Sequence, residues 1–207
     1  MFSSRNLRVA SLFSLGAAAA VPALAAQLPA QTASYTANQS IETGGQAMSM
    51  KVWRAGEKMR AENAMGMTMI LETAKNRMVM LMPGGAMAMA MPLDPAQMAT
   101  RSDALGHCAV TPGARETIEG EATVRYTLDC PAQGATQPWK GTLAMTSDGI
   151  PMRMDMQLEN NGRPVAVTTR LSDVKRGVQD PALFTVPAGV QVREGMPTMP
   201  GMPGGGR

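Results

Sequence analysis

The chain has 207 residues, 44% of them hydrophobic, enough for one domain with its own core. Charged residues make up 17%, 19 Lys+Arg against 16 Asp+Glu, and no basic block gathers them, which argues against nucleic acid as a partner. Methionine is the anomaly: 21 residues, against two Trp, two Tyr and three Phe.

In chain order, residues 1–25 come first and stand apart. Arg5 and Arg8 precede an apolar run from Val9 to Val21, and Ala23-Leu24-Ala25 offers a small-residue cleavage site. This is the pattern of a secretory signal peptide cleaved after Ala25, and the run is too short for a comfortable membrane span. Removing Arg5 and Arg8 leaves 17 Lys+Arg against 16 Asp+Glu, so the mature chain is nearly neutral. The expected location is periplasmic or secreted. The residue right after the cleavage site is Ala26, not cysteine, so the mature chain is not expected to carry a lipid anchor of the usual kind.

Period-two alternation dominates from Tyr35 to Lys175. It predicts strands at Ser34–Glu42, Gln46–Ala55, Lys58–Ala64, Met67–Thr73, Arg77–Met82 and Ala86–Met91. After a break it predicts Cys108–Val110, Glu116–Ile118, Thr123–Cys130, Lys140–Thr146, Pro151–Glu159 and Pro164–Lys175. In the break, Asp94 can cap one short helix that begins at Pro95 and ends at Gly106. The tail from Arg193 to Arg207 holds too much Pro and Gly to pack and is expected to be disordered. The domain is thus expected over residues 26–192.

Turn chemistry sets the register. A two-residue turn at Gly84-Gly85 pairs Met82 with Met87, Met80 with Met89 and Met78 with Met91, putting six methionines on one face. Asp148-Gly149 pairs Met145 with Met152 and Leu143 with Met154. Asn161-Gly162 pairs Leu158 with Val165 and Met156 with Val167. Arg153, Asp155, Gln157 and Glu159 then line the opposite, polar face. The expectation is a mainly β fold: an antiparallel sheet with one apolar and one wet face, curved into a half-barrel, with one short helix between two strand groups.

Three stretches carry a family resemblance: "VWRAGEKMRAE" (52–62), "GTLAMTSDGIPMRMDM" (141–156) and "DPALFTVPAGV" (180–190). They resemble the LolA/LolB-like superfamily, closest to a secreted branch of it, and the similarity spans about residues 33–192. The resemblance implies a half-open antiparallel β-barrel with helices at its mouth. In the lipoprotein carriers of that superfamily the groove holds acyl chains across the periplasm.

The candidate ligand-binding face comprises Met48, Met50, Met67, Met69, Met78, Met80, Met82, Met87, Met89, Met91, Met152, Met154 and Met156, with Arg60 as a rim contact. Methionine is unbranched and polarizable, and it re-packs around variable partners. The expected ligand is an apolar small molecule or the acyl chain of a lipid or lipoprotein. Membrane-protein partners are compatible with that, and a monomer is expected. Core filling is the plain alternative for the same residues. Thioethers also suit Cu(I), and Met196, Met199 and Met202 recur every third residue of the tail, so a copper site or methionine-based oxidant buffering is the second functional reading. No other cofactor is implied.

Cys108 and Cys130 are not in a C-x-x-C arrangement and are expected to form one disulfide. No catalytic residue is expected. On a strand, His107 and Cys108 point to opposite faces, which defeats a Cys-His nucleophile. No G-x-S-x-G, P-loop or H-E-x-x-H pattern occurs. Glu62, Glu72 and Asp155 read as solvated charges, and Trp53 and Trp139 as packing anchors.

Overall fold

The computed structural model describes residues 27–72, 75–93, 105–132, 137–160 and 163–195. Twelve strands form one open, curved sheet. They are β1 (Tyr35–Thr43), β2 (Gln46–Ala55), β3 (Lys58–Asn63), β4 (Thr68–Glu72), β5 (Arg77–Leu81), β6 (Met87–Pro92), β7 (Ala109–Ile118), β8 (Glu121–Cys130), β9 (Trp139–Met145), β10 (Pro151–Asn160), β11 (Arg163–Arg176) and β12 (Gln191–Glu194). The order across the sheet is β12-β6-β5-β4-β3-β2-β1-β11-β10-β9-β8-β7. Every pair is antiparallel except β12 with β6. The mainly β sheet expected from alternation is therefore the architecture, and it does not close into a barrel.

The expected signal peptide, the capped helix and the tail methionines fall on 1–26, 94–104 and 196–207, outside the described residues. A 3-10 turn spans Pro181–Phe184, capped by the Asp180 carboxylate accepting from Ala182 N–H at 2.9 Å. No described helix is long and apolar enough to cross a membrane.

The Gly84-Gly85 register is the observed one: Met80 faces Met89 and Met78 faces Met91. The connection itself is longer than two residues. Met82 N–H bonds Met87 O, and Pro83 to Ala86 loop out with Gly84 and Gly85 at φ 88° and 68°, where a side chain would be strained. The β10–β11 register also matches, with Leu158 opposite Val165 and Met156 opposite Val167. At β9–β10 the turn differs. Thr146 N–H bonds Ile150 O around a three-residue loop, and Met145 pairs with Pro151 rather than Met152. A register shift at Met152 then restores Leu143 opposite Met154.

Two further departures follow from edges. The expected strands Cys108–Val110 and Glu116–Ile118 are parts of one strand, β7, which begins at Ala109 and whose alternation is broken by an irregularity between Pro112 and Arg115. Proline is tolerated there because β7 is an edge strand. At the other edge the sheet runs past the expected boundary at Val192: Arg193 and Glu194 pair with Met89 and Ala90. Arginines tie down both ends. Arg77 Nε lies 2.6 Å from Glu72 and its Nη1 lies 2.8 Å from Glu194 of β12. Arg176 binds Asp148 at 2.7 Å and Glu121 at 2.8 Å, joining β11 to the β9–β10 turn and the β7–β8 hairpin. Hydrogen bonding from Arg176 holds the Asp148 carboxyl at about 2, with Thr146 assisting against partial burial.

Candidate functional site

Following the register from strand to strand gives one face. Ala37 opposes Val52, Val52 opposes Ala61, and Ala61 opposes Met69. Met69 opposes Met80 and Met80 opposes Met89. In the other direction Thr169 opposes Met154, Met154 opposes Leu143, and Leu143 opposes Tyr126. Cross-strand partners share a face, so all thirteen candidate methionines stand on the same side of the sheet. Met59 and Met145 join them; the sequence pattern held both, but neither lies in an M-x-M run.

The face is not uniform. Over β8–β11 and β1–β2 it is core. Met152 is 0% exposed, Met154 2% and Met145 1%, packed with Leu143, Leu171 and Tyr126. Leu28 from the N-terminal segment and Leu105 also pack there. That segment lies so close to the β9–β10 turn that a Cβ on Gly149 would strike Ala30 O. Met50 and Met78 are buried as well. These four candidates, Met50, Met78, Met152 and Met154, are therefore filled core in this state. Met67, Met69, Met80, Met89, Met91 and Met156 are half-buried, while Met48, Met82 and Met87 are exposed. The reachable methionines concentrate on β4, β5 and β6.

A hollow of about 40 Å³ lies on this face, lined by Tyr35, Gln39, Val52, Met59, Met154 and Leu171. Side chains from five strands, β1, β2, β3, β10 and β11, line it. Its volume holds a few waters and no acyl chain. A wider depression of about 620 Å³ opens beside Val124, Tyr126 and Met145 at the β7–β9 end.

The opposite face overturns one expectation. It is wet over β10, where Arg153 and Thr168 hold Asp155. Burial pushes that carboxyl up, but those hydrogen bonds win and keep it below its ordinary value. Over β4–β6, however, it is apolar too. Ile70, Val79, Leu81, Ala88 and Ala90 are buried under Val186 and Val190 of the C-terminal segment. Alternation alone could not show this, because alanine between methionines reads as filler.

Arg60 belongs to that opposite face, not to the methionine face, since Met59 and Ala61 flank it in the strand. Its Nη1 donates to Leu183 O at 3.3 Å, its Nη2 lies 3.1 Å from Glu62, and its Cζ sits 5.7 Å from the Trp53 ring centre. It clamps the 3-10 turn to β3 and is not a rim contact. Lys51 lies 5.1 Å from the same ring. Glu72 is likewise engaged: burial raises it, but Arg77 and Lys75 outweigh burial and hold it low.

Cys108 and Cys130 are joined in a disulfide. His107 Nε2 does approach Cys108 Sγ, at 3.9 Å, because residues 105–108 turn before β7 begins. The strand-based expectation that they point apart is thus corrected, yet the sulfur is bonded to Cys130 and offers no thiolate. His107, Cys108 and Cys130 form the one His/Cys/Asp/Glu group close enough for a metal among the described residues, and the disulfide removes two of its donors.

No family model matches the chain, and no curated protein matches it. Solved structures do. A chain of the MucA/MucB complex of Pseudomonas aeruginosa aligns at 14% identity and a TM-score of 0.49, over 79% of this chain and 59% of that one. The present chain therefore spans about three-fifths of the length of that neighbour. The lipoprotein LppX of Mycobacterium tuberculosis aligns at 14% identity and a TM-score of 0.41, over 70% of this chain and 88% of that one. LprF of Mycobacterium bovis aligns at 14% identity and a TM-score of 0.43, over 78% and 92%.

Proposed function

We propose that this chain is a non-enzymatic, extracytoplasmic binding protein that carries or senses an apolar ligand, an acyl chain by preference, on its methionine face. The observation that carries this reading is the patch on β4–β6. Met67, Met69, Met80, Met89 and Met91 are half-buried and Met82 and Met87 exposed, although Ile70, Val79, Leu81, Ala88 and Ala90 on the other side of the same three strands are buried by the chain itself. A contiguous apolar patch left open beside a well-packed one marks an interaction surface. Branched or aromatic residues would pack it shut. Methionines leave a surface that a flexible chain can displace and re-form. Small preformed volume fits that behaviour: the ligand parts the side chains rather than entering a standing cavity.

No nucleophile–base pair, free thiol or activated acid stands on this face among the described residues, so binding is the chemistry it supports. Location outside the cytoplasm follows from the signal pattern and suits the disulfide. The test is titration with a fluorescent fatty acid. The wild-type chain should bind it saturably. Met80→Lys with Met89→Lys, which sets two charges in the patch, should abolish uptake while the circular dichroism of the sheet persists. Absence of saturable binding by the wild type overturns the proposal.

A further inference from the structure

The pairing of β4, β5 and β6 arranges methionines in two dimensions. Three rows run across the strands: Met67–Met82–Met87, Met69–Met80–Met89 and Leu71–Met78–Met91, the first continuing the ladder one residue to the Met82–Met87 hydrogen bond. Eight of nine grid positions are methionine. In the central row all three residues are half-buried. Met82 N–H bonds Met87 O, so Met80 and Met89, two residues further along, also form a hydrogen-bonded pair with Cα atoms about 5.5 Å apart; Met69 and Met80 then form the closer, non-hydrogen-bonded pair at about 4.5 Å. Three flexible thioethers therefore stand side by side over β5, close enough for their sulfurs to converge on one point.

From this grid we infer a Cu(I) site formed by the thioether sulfurs of Met69, Met80 and Met89. Neutral sulfur donors in a half-buried, apolar setting select a soft monovalent ion over hard or divalent ones. They are also the soft donors that survive here, because both cysteines of the chain are consumed in the disulfide. The row ends at Arg193 of β12, opposite Met89 and exposed, so Met69 and Met80, farther from that charge, are the firmer ligands. This site is separate from the one expected on the tail, and it stands or falls independently of acyl-chain binding.

The experiment is anaerobic competition for Cu(I) between the full mature chain and a chromogenic bidentate chelator, with ascorbate as reductant. The wild type should withdraw one Cu(I) per chain from the chelator, with a sulfur-only shell by X-ray absorption. Met69→Leu/Met80→Leu/Met89→Leu should weaken Cu(I) binding about tenfold or more. Leucine keeps the volume, so the fold should remain, read as an unchanged circular dichroism spectrum. Met80→Leu alone should weaken binding in the same direction if the triple variant proves unstable. Met196→Leu/Met199→Leu/Met202→Leu should change nothing. Failure of the wild type to compete overturns the site, as does full retention of affinity by the folded grid variant while the tail variant loses it.

Discussion

Arg60→Met separates the two faces of the sheet. Methionine keeps the apolar stem against Trp53 and removes the guanidinium. Lost are the bond to Leu183 O, long at 3.3 Å and worth about 1 kcal/mol, and the Glu62 pair, whose carboxylate is 40% exposed and which contributes roughly 0.2–1 kcal/mol. The cation–π contact adds about 0.5–1 kcal/mol. Against these, Arg60 Nε is buried with no partner, and deleting it recovers about 1–3 kcal/mol of desolvation. The balance is a net loss of about 1 kcal/mol or less, a fall in Tm of at most roughly 2–4 °C for a domain of this size. Hydrogen exchange should quicken at Leu183 and Thr185, which the clamp holds, and fatty-acid uptake should be unchanged. Thermal unfolding, exchange mass spectrometry and probe titration read these out. Loss of uptake with an unchanged Tm would refute the placement of Arg60 outside the ligand face.

Replacing Cys108 and Cys130 together by alanine should lower stability by about 3 kcal/mol for the 22-residue separation, seen as an earlier urea midpoint, and thiol titration of the unreduced, denatured wild type should find no free thiol. Ile70→Ala, at 0% exposure beneath the C-terminal segment, should cost about 3 kcal/mol without changing probe affinity in the folded fraction. Asp148 is held at about 2 against an ordinary 3.8, so its contribution is present above pH ~4 and is lost as pH falls toward 2. With the carboxylate side chain 34% exposed, that contribution is discounted to about 1 kcal/mol, and Asp148→Asn should flatten the acid limb of a stability–pH profile by that amount.

How much of this was legible in the sequence depends on whether local pattern or long-range contact decided the matter. β2 was legible to the residue, and the β5–β6 register followed from a Gly-Gly turn between alternating runs, since a one-residue slip would send Met80 and Met89 to different faces. β7 was read as two pieces because Pro112 and Gly113 interrupt its alternation without ending its pairing. β12 was not legible because its four exposed residues, Gln191 to Glu194, hold a single apolar side chain, Val192, too little for an alternating pattern, and are held by backbone bonds and Arg77. The placement of Arg60 failed for a related reason. Strand alternation sets Arg60 on the side away from Met59 and Ala61, and what its charge holds, the Leu183 carbonyl, is a long-range contact that no local pattern shows. The site itself was half legible: sequence named the methionines of the face, while their division into buried Met152 and Met154 and reachable Met69 and Met80 depends on what Leu171, Leu143 and the N-terminal segment cover.

The central claim, that the open part of the methionine face receives an apolar chain, is tested most directly by methionine-methyl NMR. The mature chain labelled with carbon-13 at its methionine methyls is titrated with a long-chain fatty acid below its micelle concentration. Methyl signals of Met69, Met80, Met89 and Met91 should shift together and saturate, while those of Met145 and Met152, at 1% and 0% exposure, stay in place. Unchanged signals from the β4–β6 methionines across the titration would contradict the account.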